Sequence, residues 1–379
     1  MVKPSLFFIK LKKKIKNSLK PYSFEVRKAI YIQNHYNLDA LKKTKKIIIF
    51  LVPASTYVNG GIMSIFSLCR YSRLIAKDYV CLISTVPGKI TYAYNNMFKN
   101  NEKVFRWKQI IEISDSLTNL IIHIPEYYAK KFYKDLDKLD IDVLKKIPEL
   151  QINIMNQNVE LMPNPQALSD LYKLTDNITQ TISNNKYVNQ SISDKWKIPT
   201  HYLPVWLPTD HYKKYDFDEK EKIIVLSHDK NIYKNNIINI LKINLPDWKI
   251  ITVRNLSFDE YMDLIAKAFF TISFGEGFDS YFIQPISVRS MGLTVYNDEF
   301  FPDKSWRELG NVFLSYHEMQ ERIVSKIIYF FNNKKIYYDT INIIFEKIKT
   351  KKIYNYDIYI ESLKNFYNKK YDFSPSFQS

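Results

Sequence analysis

Apolar residues fall along the chain in two kinds of pattern, short continuous runs and stretches spaced by three or four, and the two kinds alternate. Residues 46–53 carry the run Ile-Ile-Ile-Phe-Leu-Val and stop at a proline, which predicts a strand buried on both faces. The glycine pair Gly60 and Gly61 follows, and Ile62, Ile65, Phe66, Leu68 and Cys69 then predict a helix up to about residue 76. Further strands are predicted at 80–86 and 117–124, with shorter ones at 151–155 and 201–203. Strands alternating with helices imply a mainly parallel sheet, so the fold class is α/β.

The rhythm breaks where Pro204 and Pro208 precede the charged segment 210–222. It restarts with a strand at 223–227, a helix at 234–243, a strand at 249–253, a helix at 258–267 and a strand at 268–274. Closing helices are predicted at 319–331 and 337–347. The expected division is a basic segment 1–30, a Rossmann-like domain 31–208, a linker 209–222, a second Rossmann-like domain 223–353, and a C-terminal helix and tail 354–379 crossing back to the first domain.

Length and composition agree with two folded domains: 379 residues with 46% hydrophobic and 15% aromatic content argue against extensive disorder. Lys plus Arg exceed Asp plus Glu by 55 to 39, a formal charge of +16. That favours anionic surfaces, anionic polymers or phosphorylated ligands, although a biased genome composition also enriches Lys, Ile, Asn and Tyr, so the charge names a sign and not a partner. Cys69 and Cys81 have neither zinc-ligand nor disulfide-framework spacing, which points to a reducing cytoplasm and two core residues. The apolar runs are far short of the ~20 residues a spanning helix needs, and no signal-peptide cleavage pattern follows residue 21. In segment 1–30, Phe7, Phe8, Leu11, Ile15 and Leu19 alternate with lysines. This predicts a basic amphipathic helix that lies on an anionic membrane, the equal alternative being an ordinary surface helix docked on the first domain.

The candidate chemistry lies in 257–297. A strand ending in Thr271-Ile272-Ser273-Phe274 runs into Gly275-Glu276-Gly277-Phe278-Asp279-Ser280 and then an apolar stretch holding Gln284. A loop at the carboxyl end of a parallel strand, opening a helix, is where doubly wound sheets bind ligands. Gly275 and Gly277 permit close backbone approach, and the amides of Phe278, Asp279 and Ser280 are expected to point at phosphate or sugar oxygens. In these residues the chain resembles the retaining GT-B glycosyltransferases with an E-x7-E motif, a superfamily that includes glycogen synthases and many bacterial polysaccharide and lipid glycosyltransferases. Glu276-Gly277-Phe278 matches the start of the motif and Gly292-Leu293-Thr294-Val295 its end. Gln284 stands where the family has its second Glu, and Asp279 where it has Gly.

The resemblance implies a GT-B fold, two Rossmann-like domains with an interdomain cleft, the first taking an acceptor and the second a nucleotide diphosphate sugar. It implies that Glu276 contacts the donor sugar and that Gln284 holds the ribose through its amide. Lys230 and Lys234, in and after the turn 226–230, fall where the family sets cations against the diphosphate; solvated helix-start lysines are the alternative. Gly61 is expected on the donor side and Gly60 on the acceptor side of the cleft. His123 and Glu126 are candidates for catalysis and acceptor contact, a buried structural histidine being the equal alternative for His123, and Asn156, Gln157 and Asn158 are further candidates to line the cleft.

The implied activity is sugar transfer to a glycan or lipid-linked acceptor in cell-surface polysaccharide synthesis, such as capsule or lipopolysaccharide assembly. It is expected to retain anomeric configuration, to need no cofactor and no metal, and to take place in the cytoplasm, peripherally at the inner membrane face. Asp216-Phe217-Asp218 mimics a metal-binding Asp-x-Asp but lies in the charged segment, and His35, His123, His201, His211, His228 and His317 form no metal-ligand spacing. Two alternatives remain: a non-catalytic nucleotide-sugar or glycan-binding protein on the same fold, and a basic nucleic-acid-binding protein. The second is less favoured because the aromatics form no recognisable stacking motif.

Overall fold

Strand β1 (Lys46–Val52) shows why the first sheet forms where it does: Ile47 through Val52 are all fully buried, as a continuous apolar run in a parallel sheet requires. The protein is described by a computed structural model over residues 30–53, 60–88, 102–254, 256–351 and 353–376. The amphipathic segment expected at 1–30 lies, except for its last residue, outside the described residues.

Seven strands form one sheet: β1, β2 (Val80–Thr85), β3 (Val104–Phe105), β4 (Asn119–Pro125), β5 (Glu149–Asn156), β6 (Ile178–Ile182) and β7 (Thr200–Tyr202), in the order β3-β2-β1-β4-β5-β6-β7. β1 pairs in parallel with both β2 and β4, and β6 with β7. Gly60 and Gly61 are themselves helical, in the helix described over Gly60–Ile75. The strand β6 was not predicted. Its Thr179, Gln180 and Thr181 are buried polar residues, and Gln180 is satisfied by Asn156 Nδ2 (3.0 Å) on one side and by Thr200 Oγ1 (2.8 Å) on the other.

Five strands form a second sheet: β8 (Glu221–Leu226), β9 (Lys249–Thr252), β10 (Ala268–Ile272), β11 (Met291–Val295) and β12 (Val312–Phe313), in the order β12-β11-β10-β8-β9. All four pairings are parallel, so the carboxyl ends of the strands share one edge. The helix Phe258–Lys267 has the predicted bounds because Ser257 and Glu260 close a capping box. Ser257 Oγ accepts from the Glu260 amide at 3.2 Å, and Glu260 Oε2 accepts from the Ser257 amide at 2.7 Å. The closing helices Tyr316–Asn332 and Lys334–Thr350 cover the sheet through residues such as Tyr337, whose buried hydroxyl donates to Phe269 O at 2.7 Å.

In the charged stretch before β8, Asp216 pairs with Arg289 and Asp218 with Lys334, so both carboxylates of the Asp-x-Asp look-alike are held in surface ion pairs. Lys220, by contrast, is buried, its Nζ donating to Ala266 O and Ser290 Oγ, each at 2.7 Å, and to Ala268 O at 3.3 Å. The C-terminal helix Tyr356–Tyr367 packs on β7, where His201 Nε2 lies 2.7 Å from Ser362 O. Beyond it Phe373 forms an antiparallel bridge with Thr200.

The chain divides into two compact units. One runs to Arg73 and takes in Lys77–Asn153 and Gln166–Ile178; the other comprises Leu74–Ala76, Ile154–Pro165 and the chain from Thr179 onward.

Candidate functional site

At the carboxyl edge of the second sheet, β10 leads into the loop of residues 273–279 and the helix Ser280–Ser287. Gly277 has φ +87°, and a Cβ there would sit 2.6 Å from Val295 O, so only glycine fits. Gly292 is equally constrained: its Cβ would meet Phe282 O at 2.6 Å, which lets the helix lie directly on β11. Pro285 sits inside that helix and cannot donate to the carbonyl of Tyr281; the Thr271 hydroxyl of β10 donates to it instead.

Asp279 caps the helix, its Oδ1 accepting from the Tyr281 amide at 2.8 Å and its Oδ2 from the Ser273 hydroxyl. The helix start is therefore closed by the chain's own carboxylate. A Cβ on Gly275 would lie 3.0 Å from Asp229 Oδ2 and 3.4 Å from Asp279 Oδ2, so this glycine faces two carboxylates. Burial, with Asp229 nearby, pushes the Asp279 carboxyl from 3.8 up to about 6. Between those values the folded state holds the extra proton, so Asp279 contributes stability that is full below pH 3.8 and lost as pH rises through about 6. Asp279→Asn, which keeps the capping acceptor, is expected to raise the melting temperature above pH 6 and to leave it unchanged below about pH 3.8. Melts across that range check it; an equal effect at every pH contradicts it.

Lys234 opens the helix Lys234–Asn244, and its Nζ donates to Ser227 O (2.5 Å) and Asp229 O (3.0 Å) at the end of β8. Burial lowers its pKa, opposed by Asp229 and assisted by Arg254. Lys230 is exposed on the same turn. Arg254, just past β9, adds a third cation that sequence reasoning missed; a lone Arg directly after a strand's carboxyl end is the signal that marks it.

Glu276 is half-buried, and its Oε1 accepts from Asn158 Nδ2 at 2.6 Å. Phe278 turns its ring into an aromatic cluster, 5.0 Å from Trp306 and 5.2 Å from Phe301. Ser280 is the first residue of the helix. Gln284, on its inner face, is only 3% exposed, and its Oε1 has no hydrogen-bond partner among the described residues. Glu276, Lys230, Lys234, Phe278, Asp279, Ser280 and Gln284 are thus gathered in and beside one loop.

Gly60, Gly61, His123 and Glu126 belong to the other unit. His123 is fully buried in β4, stacked on Phe50 at 4.6 Å, with Nδ1 accepting from Asn153 Nδ2 at 3.0 Å. Burial pushes its pKa down to about 3, so it is neutral at physiological pH. Glu126 follows β4 in a short 3-10 turn and is buried. Among the described residues, a Cβ on Gly60 would meet nothing within 4 Å. Among the described residues no group of three or more His, Cys, Asp or Glu side chains is placed to hold a metal ion. Nor is any described helix long and apolar enough to cross a membrane.

No family model matches the sequence, and no curated protein does. Solved structures do match the fold. An alpha-glucosyltransferase in complex with UDP-glucose and DNA containing an abasic site aligns with TM-score 0.53 at 8% identity, over 84% of this chain and 94% of that one. An alpha-glucosyltransferase in complex with UDP and a 13-mer DNA containing a HMU base aligns with TM-score 0.51 at 8% identity, over 84% and 95%. At this identity the likeness speaks to fold, and the fold is the GT-B arrangement of two Rossmann-like sheets expected from the sequence.

Proposed function

We propose that the protein is a glycosyltransferase that takes its sugar from a nucleotide diphosphate sugar bound at the carboxyl edge of the second sheet. The observation that carries this is the loop of residues 273–279, which sets a half-buried, hydrogen-bonded carboxylate, Glu276, between two glycines at the end of a central parallel strand. Glu276 orients the donor sugar. Lys234, Lys230 and Arg254 offset the charge that develops on the departing diphosphate, and the unpaired Gln284 carbonyl accepts from a ribose hydroxyl.

In the proposed transfer the bond from the anomeric carbon to the diphosphate breaks and a bond to the acceptor oxygen forms. The hydroxyl proton passes to the departing diphosphate, with configuration retained and no metal required. Gly60 and Glu126 remain the acceptor-side candidates, and Gly61 a donor-side one. His123 is proposed to hold β4 against β1 and β5, since it is enclosed and its Nδ1 is occupied. The formal charge of +16 suits an acceptor carried on an anionic surface, as in lipid-linked cell-surface glycan assembly at the inner membrane face. The same charge favours a second reading in which the acceptor is nucleic acid, in keeping with the DNA held by the two matched glucosyltransferases.

The test is transfer from a panel of nucleotide diphosphate sugars, in the presence of a chelator, to lipid-linked glycan and to DNA in parallel, with the anomeric product read by NMR. An axial-to-axial or equatorial-to-equatorial product on the lipid-linked acceptor is expected. Inversion contradicts the stereochemical part, and transfer to DNA alone selects the second reading.

A further inference from the structure

We infer that Asn158 is the positioning residue for Glu276; the inference rests on the proposed donor role of that carboxylate. Asn158 follows β5, and the backbone beneath it is tied to the end of β6. The Ser183 amide donates to Asn156 O at 3.0 Å and the Ser183 hydroxyl to Gln157 O at 2.8 Å. Asn156 Nδ2 reaches Gln180 Oε1 at 3.0 Å, so the segment is anchored inside the sheet as well as at its edge.

The amide of Asn158 has its orientation set from both ends. Oδ1 accepts from the Glu160 amide at 2.8 Å, capping the 3-10 turn Val159–Leu161, and this leaves Nδ2 to donate to Glu276 Oε1 at 2.6 Å. The loop of residues 273–279 has glycines on both sides of Glu276, and a donor fixed on another element constrains where the carboxylate points. Asn158 touches Glu276 and acts on donor chemistry through it.

The test separates this role from simple capping. Asn158→Asp keeps an acceptor for the Glu160 amide, and Asp is an equally good cap, but it replaces the donor facing Glu276 with a second carboxylate. The expected result is a fall in kcat of about tenfold or more at neutral pH, with donor KM and melting temperature little changed. Activity should recover as the pH is lowered, since one proton shared by the two carboxyls restores a donor. Asn158→Ala should lower kcat without that recovery. Wild-type kcat and an unchanged pH profile in Asn158→Asp, beside an active wild type, overturn the positioning role alone. A wild type that turns over no nucleotide sugar overturns the donor role of Glu276 and the positioning role with it.

Discussion

Replacing Glu276 by Ala is expected to lower sugar transfer by about a hundredfold to a thousandfold, the usual loss when one preorganised electrostatic contact to the reacting centre is removed. The expectation follows from its place: half-buried, at the carboxyl end of a central strand, with Oε1 held by Asn158 at 2.6 Å. The substitution leaves no core cavity, because the side chain lies in a loop, and water replaces the carboxylate at the partly buried Asn158 amide. Melting temperature should therefore change little. Initial rates and melts of the two proteins check both halves; a rate within twofold of wild type removes Glu276 from the site.

Gly277→Ala should act the other way round, through the fold. The new methyl would lie 2.6 Å from Val295 O and 3.2 Å from Phe301 Cε2, at φ +87°. A left-handed conformation costs an alanine about 1–2 kcal/mol and an overpacked site about 1–3 kcal/mol more, so a loss of roughly 3 kcal/mol is expected. For a lobe of about 150–200 residues that corresponds to a fall of roughly 6–12 °C in melting temperature. The loop must move off β11, and donor binding should be lost even where the protein stays folded. An unchanged melting temperature would mean that the loop does not hold this backbone.

What the sequence revealed and what it concealed divide on physical lines. β1, β8 and the helix Phe258–Lys267 were legible because burial on both faces and a capping box leave local signatures. β6 was hidden because Thr179, Gln180 and Thr181 read as polar loop, while the partners of Gln180, Asn156 and Thr200, come from neighbouring strands. β3 and β12 are two residues each, too short for any period to show. The site loop was legible from Glu276-Gly277-Phe278, yet the closing of the helix start by Asp279, the hydroxyl that makes Pro285 tolerable, and the carboxylates facing Gly275 were not. Nor was the contact of Asn158 with Glu276, which joins residues 118 positions apart. Lys220 is the reverse case, a lysine in a charged run that the fold buries and satisfies with three oxygens.

The central claim is that the second sheet binds a nucleotide diphosphate sugar, and the most direct test is the melting temperature of the wild-type protein against a panel of nucleotides and nucleotide sugars. A ligand at a hundred times its dissociation constant adds about 2.7 kcal/mol to the folded state. The account predicts selective stabilisation by one diphosphate sugar, exceeding that from the corresponding monophosphate. No stabilisation by any of them at millimolar concentration would contradict it.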